Sequence, residues 1–239
     1  MSAGRTARER VRAELVREIT EIARRQLATQ GAAGLSLRAV AREMGMVSSA
    51  IYRYFPSRDD LLTALIIDGY NAVGEAVERA DARAVARGGG FPERWLAVGR
   101  AIREWAVAHP HEYALLHGSP VPGYVAPQDT VPAALRDAAV LARLVTEAHE
   151  AGALEPVGAP PGSIDELTGD LARARVAVRM NVPDEVVARA LTAWAGLYGT
   201  VSFELFGQFD NVIDARAAYF DHTIMLLGRL VGLKFAIDE

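Results

Sequence analysis

Apolar residues return at every third or fourth position along most of the chain, a period that builds amphipathic helices and does not suit strands. Between about Thr6 and Gln30 the stripe is Leu15, Ile19, Ile22, Ala23 and Leu27, and Gly31 and Gly34 stop it. Ser36 is a good N-cap for a short second helix carrying Leu37, Val40, Ala41 and Met44, closed by Gly45. A third helix of about two turns is expected from Ser48 to Tyr54. It turns Ile51 and Phe55 inward and leaves Ser48, Ser49, Tyr52 and Arg53 on other faces. Pro56 ends it. Ser57-Arg58-Asp59-Asp60 then opens a long fourth helix with two carboxylates in its positive first turn, and Leu62, Leu65, Ile66, Val73 and Val77 mark its buried face toward Ala86.

Gly88-Gly89-Gly90 is the clear hinge of the first half. Beyond it helices are expected at about 91–109, 110–118, 132–152, 163–180, 184–208 and 214–233, separated by prolines at 120, 122, 127 and 132 and by Pro160-Pro161-Gly162. No β-branched run alternates with period two, and no repeat of 20–50 residues is evident, so the expected fold is all-α. Hydrophobic residues make up 51% of the chain, enough to build a core although only 7% are aromatic. The absence of cysteine excludes disulfides, thiolate metal sites and a cysteine nucleophile. The N-terminus alternates Arg and Glu where a signal peptide would be apolar, and the longest uncharged helical run, Ala190 to Phe203, is short of the roughly 20 residues of a membrane span. A soluble cytoplasmic protein is expected.

The net charge of −4 averages two unlike parts. Residues 1–58 carry 11 Arg against 5 Glu, net +6, while residues 59–239 carry 15 basic and 25 acidic residues, net −10. A basic head on an acidic body suits a duplex partner, since phosphate neutralisation supplies most of the affinity and the body is repelled. The division expected is a helix-turn-helix DNA-binding domain at 1–58 and a helical effector-binding and dimerisation domain at 59–239.

A capped short helix, a glycine turn and a second short helix with small polar and aromatic side chains outward follow the helix-turn-helix plan. Small residues permit close approach to the major groove, serine hydroxyls donate or accept at base edges, and a tyrosine reaches phosphate or a thymine methyl. The run from Gly34 to Leu62, with the Gly45 turn, Ile51-Tyr52-Arg53-Tyr54-Phe55 and Ser57-Arg58-Asp59, closely resembles the DNA-binding signature of the TetR family of transcriptional regulators. That resemblance implies DNA contacts at Ser36, Tyr52, Tyr54 and Arg58, with Ser48 and Ser49 as the base-facing pair and Arg53 beside them. Arg5 and Arg8 are placed to reach phosphates or the minor groove. One position departs: the family often has Ser where this chain has Val47, which opens the alternative that the N-cap shifts to Ser48 and diverts its hydroxyl from base reading.

The C-terminal part is similar to the WHG-type ligand domain of some family members through His109–Pro120, Trp194-Ala195-Gly196 and Phe203-Glu204-Leu205-Phe206-Gly207, with Ala195 at the middle position of the name. Trp105, Tyr113, Leu116, His117, Tyr124, Trp194, Tyr198 and Phe203 are the candidates to line an apolar cavity for a small apolar or aromatic effector. Such aromatics at helical spacing also suit plain core. His111 and His117 are six apart and His149 has no partner at i+4, so the zinc-protease spacing is missing; no metal, cofactor or catalytic residue is assigned. The apolar faces at 184–208 and 214–233 suit a four-helix interface with a second copy. The expected function is a homodimeric, ligand-responsive repressor on a palindromic operator. Two other classes compete: a helical small-molecule-binding protein without specific DNA binding, and a helical enzyme acting on an apolar substrate through His109, His111 or His117.

Overall fold

The computed structural model describes residues 7–158 and 164–235. Among them every regular element is helical, and Leu154 and Leu233 form an isolated antiparallel bridge. The elements are α1 (Ala7–Gln30), α2 (Leu37–Glu43), α3 (Ser48–Ile51), α4 (Arg58–Ala86), α5 (Phe91–Ala108), α6 (Pro110–His117), α7 (Val131–Ala134), α8 (Arg136–Glu150), α9 (Thr168–Val178), α10 (Asp184–Leu205) and α11 (Arg216–Val231), with short 3-10 turns at 32–34, 128–130 and 165–167. The all-α expectation is met. The helix expected at 132–152 is divided at Leu135, and the Pro160-Pro161-Gly162 break lies outside the described residues.

Two compact units share the chain: residues 1–69 with 109–130, and residues 70–108 with 131–239. In the first, Ile19, Ile22, Ala23 and Leu27 of α1 meet Leu37, Val40 and Ala41 of α2, Ile51 of α3, Phe55, and Leu61, Leu62 and Leu65 of α4. Compactness does not follow the expected line at residue 58. Leu115, Val121 and Tyr124 pack against this same core, and the Tyr124 hydroxyl lies 2.9 Å from that of Thr63.

The second unit is built on Trp95, Val98 and Ile102 of α5, Leu144 and Val145 of α8, Val187, Leu197 and Val201 of α10, and Phe220 and Ile224 of α11. The Trp95 indole N–H donates to the Ile224 carbonyl at 2.9 Å, so burial leaves no orphan donor there. Gly99 lets α11 approach α5: a Cβ there would lie 3.0 Å from Ile224. Inside this unit Arg94 meets Asp81 through two nitrogens at 2.7 and 3.1 Å and Glu147 at 2.7 Å. Burial pushes the Asp81 carboxyl up, but Arg94 and Arg143 outweigh it and hold it below the usual carboxylate range.

Candidate nucleic-acid interface and an apolar cavity

Ser36 starts α2 as expected: its extended backbone leaves the helix, and its Oγ accepts from the Ala39 N–H at 3.4 Å. Its hydroxyl is therefore engaged in capping. Gly45 at φ 67° closes α2, and the Met46 N–H donates back to the Ala41 carbonyl at 2.9 Å. Val47, not Ser48, is then the N-cap of α3; its carbonyl accepts from Ala50 N–H at 2.9 Å, but it offers no side-chain cap. The cap does not shift, and the Ser48 hydroxyl is not diverted by capping.

The α-helical part of α3 is one turn rather than the two expected. Residues 52–54 continue as tighter turns, with Tyr54 N–H donating to Ile51 at 2.9 Å, because Pro56 disfavours helical geometry at Phe55. Ile51 and Phe55 are buried and anchor the segment, while Ser48, Ser49, Tyr52 and Arg53 face outward. Arg38 and Arg42 of α2 are exposed too, and with Arg53 they form no ion pair among the described residues.

Two other expected contacts are placed differently. Tyr54 is half-buried, with the Arg12 guanidinium 5.2 Å from its ring centre and also donating to the Arg53 carbonyl at 3.3 Å. Arg58 turns back into the head, donating to the carbonyls of Ala32 at 2.7 Å and Leu35 at 3.3 Å. The Ala32 carbonyl also accepts the Leu35 N–H at 3.4 Å, so Arg58 adds a second donor there and braces the connection into α2 while its guanidinium stays part-exposed 3.7 Å from Asp59. Arg8 is exposed, whereas Arg5 lies outside the described residues.

The eight candidates for a cavity lining do not surround one cavity. Tyr113 is fully buried in the first unit, with the His117 ring 4.8 Å away between centres; Leu116 lies against Gly69. Burial alone lowers His117 to a pKa of about 4, so its imidazole is neutral at pH 7. In the second unit Trp105 is core, and Phe203 is half-exposed, edge-on to Phe209. The Tyr198 hydroxyl donates to buried Asp137. Burial raises that carboxyl, against hydrogen bonds from Tyr198, local backbone amides and the Trp194 indole.

Of the eight, Trp194 alone lines the apolar cavity of about 170 Å³ among α5, α8, α9 and α10. Its other walls are Trp95, Leu141, Ala142, Val145, Met180, Val187 and Leu191, with Ala138, Ala174, Ala177 and Ala190 supplying the space. The short side chains of these alanines leave the room, and nothing in their spacing marks a cavity as large aromatic rings do.

Over residues 19–65 the chain matches the family model of bacterial regulatory proteins, tetR family, and over 95–227 that of a tetracyclin repressor-like C-terminal domain. It is 40% identical over 236 residues to the HTH-type transcriptional regulators Rv1816 of Mycobacterium tuberculosis and Mb1846 of Mycobacterium bovis, spanning 95% of this chain and 94% of each relative. The chain belongs to the TetR family of transcriptional regulators. Among solved structures, SCO4313 superposes with a TM-score of 0.75 at 35% identity, covering 93% of this chain and 98% of that one. A protein from Rhodococcus sp. RHA1 gives 0.64 at 27% identity, covering 91% and 93%.

Membership of the TetR family makes this chain a DNA-binding transcriptional regulator and sets aside the enzyme reading. The TetR family match over 19–65 contains α2, the Gly45 turn and α3, from which Ser48, Ser49, Tyr52 and Arg53 face outward. No described helix of this TetR family member is long and apolar enough to cross a membrane.

Proposed function

We propose that this regulator is a cytoplasmic homodimeric repressor that leaves a palindromic operator when a small apolar effector enters the α8–α9–α10 cavity. DNA binding is assigned to residues 1–58, and effector binding and dimerisation to 59–239. The observation that carries the reading is the division of side chains around α3. Ile51 and Phe55 are held in the core, while Ser48, Ser49 and Tyr52 are exposed near in sequence to arginines that form no ion pair among the described residues. A short helix so presented fits the major groove, and two copies reach successive grooves when their heads stand about 34–36 Å apart.

Dimerisation is supported by the apolar side chains that α10 and α11 leave uncovered. Leu191, Trp194 and Phe203 on α10 and Tyr219 and Leu226 on α11 are all exposed, and Phe209 joins Phe203 to Tyr219 edge-on. Exposed apolar surface of this kind marks an association face. The cavity supports the effector class: a dry site of similar volume, about 150 Å³, takes a benzene-sized molecule. An effector that binds the released conformer better than the operator-bound one shifts the population; one with equal affinity for both does nothing.

The test is a gel-shift titration on DNA flanking the gene, with wild type and Tyr52→Ala. Tyr52 is half-exposed and contributes little to the core, so the variant should stay folded by circular dichroism yet lose at least tenfold in affinity. Equal affinity of the two proteins would reject the placement of α3 on DNA.

A further inference from the structure

The side chain at the head of α3 is unlike its neighbours. Val47 is 72% exposed, makes no capping hydrogen bond, and has Met46 packed into the core on one side and the exposed hydroxyls of Ser48 and Ser49 on the other. In the free protein this placement is unfavourable twice over. The N-terminal N–H groups of α3 go without the acceptor that a serine or threonine would supply, and an apolar β-branched group is left in water.

The second cost is relieved if the isopropyl group meets an apolar surface when the head is occupied. The partner is DNA, and the surroundings of Val47 are cationic: Arg42 and Arg53 are exposed nearby in sequence without carboxylate partners among the described residues. A major-groove edge offers hydrogen-bond donors, acceptors and a single apolar feature, the C5-methyl group of thymine. Valine has no polar atom with which to address the donors and acceptors. The short side chains of Ser48 and Ser49 leave the backbone free to come close.

We infer that Val47 is a specificity-determining residue that reads a thymine methyl at one position of each operator half-site. The inference rests on the proposed placement of α3 in the major groove. It assigns the base discrimination of this position to apolar contact, so that cytosine, which lacks the methyl, is selected against without any hydrogen bond being lost at Val47.

The experiment uses the full-length protein. Random duplexes are selected for binding by wild type and by Val47→Ser, and the best wild-type duplex is resynthesised with deoxyuridine replacing one thymine at a time, which removes only the methyl group. For wild type, one thymine per half-site should cost about fourfold in affinity when replaced, the equivalent of losing one buried methyl contact. For Val47→Ser, which restores a capping hydroxyl and should fold at least as well by thermal melting, the same duplex pair should bind equally. An undiminished ratio in the variant, or no methyl-sensitive thymine in wild type, overturns the role of Val47 while the selected sequence upholds the placement of α3. If wild type enriches no sequence, the placement itself fails, and the inference with it.

Discussion

In the second unit Arg94, Arg103 and Arg136 each meet one carboxylate through two nitrogens, at Asp81, Glu204 and Glu78, with every contact between 2.6 and 3.1 Å. In the first unit Arg38, Arg42 and Arg53 project from α2 and the turn after α3 with no ion pair among the described residues. The same side chain thus serves two purposes. Where helices are tied together, its planar fork is matched to a carboxylate; around α3, where we propose that DNA is met, the matching carboxylate is left out. The distinction is one of placement rather than composition, since Arg24 and Arg25 in the first unit are paired with Asp68, Glu112 and Glu43 away from α3.

The largest effect that would sharpen this contrast is expected from Arg94→Leu. Removing a buried cation leaves Asp81 and Glu147 with only the half-exposed Arg143 as partner, and urea denaturation should register a loss approaching, but not exceeding, roughly 3–5 kcal/mol. A loss below about 1 kcal/mol would show that pairing in the second unit is not structural.

The first unit contains an imidazole whose burial favours its neutral form. Because the folded pKa of His117, about 4, lies below the 6.5 of an unfolded histidine, its contribution to stability is full above pH 6.5 and is lost as pH falls through 4. That loss should approach roughly 3 kcal/mol. Urea titrations at pH 7 and pH 4 on wild type and His117→Phe measure it: the phenylalanine keeps a ring against Tyr113 but should lack this part of the pH dependence.

Ser36→Ala should cost about 1 kcal/mol through the lost cap of α2. Its effect on DNA affinity separates a capping role from direct contact, because a capping residue weakens binding only as far as it loosens the head. The smallest stability effects belong to Arg38→Ala and Arg42→Ala, each within about 0.5 kcal/mol. If either residue contacts a phosphate, the slope of log affinity against log salt should fall by about one. An unchanged slope together with lost stability would place that arginine with Arg94.

Much of the head was legible because its signals are local. The Ser36 cap, the Gly45 turn and the burial of Ile51 and Phe55 each follow from a residue type at a fixed offset. What escaped depends on partners distant in sequence. Arg58 binds carbonyls 23 and 26 residues away, and nothing around Arg58 itself announces them. Leu115, Val121 and Tyr124 join a core whose other members all precede Ile66. The cavity was missed for a different reason: an opening is made by what is small, and alanines at 138, 174, 177 and 190 look like ordinary helix formers until three helices bring them together.

The single turn of α3 depends on Ile51 and Phe55 for its position, whereas residues 47, 48, 49 and 52 point away from that anchor. Randomising those four outward positions should therefore redirect which sequences are bound while leaving the melting temperature nearly untouched, making this head a scaffold that can be retargeted without being rebuilt.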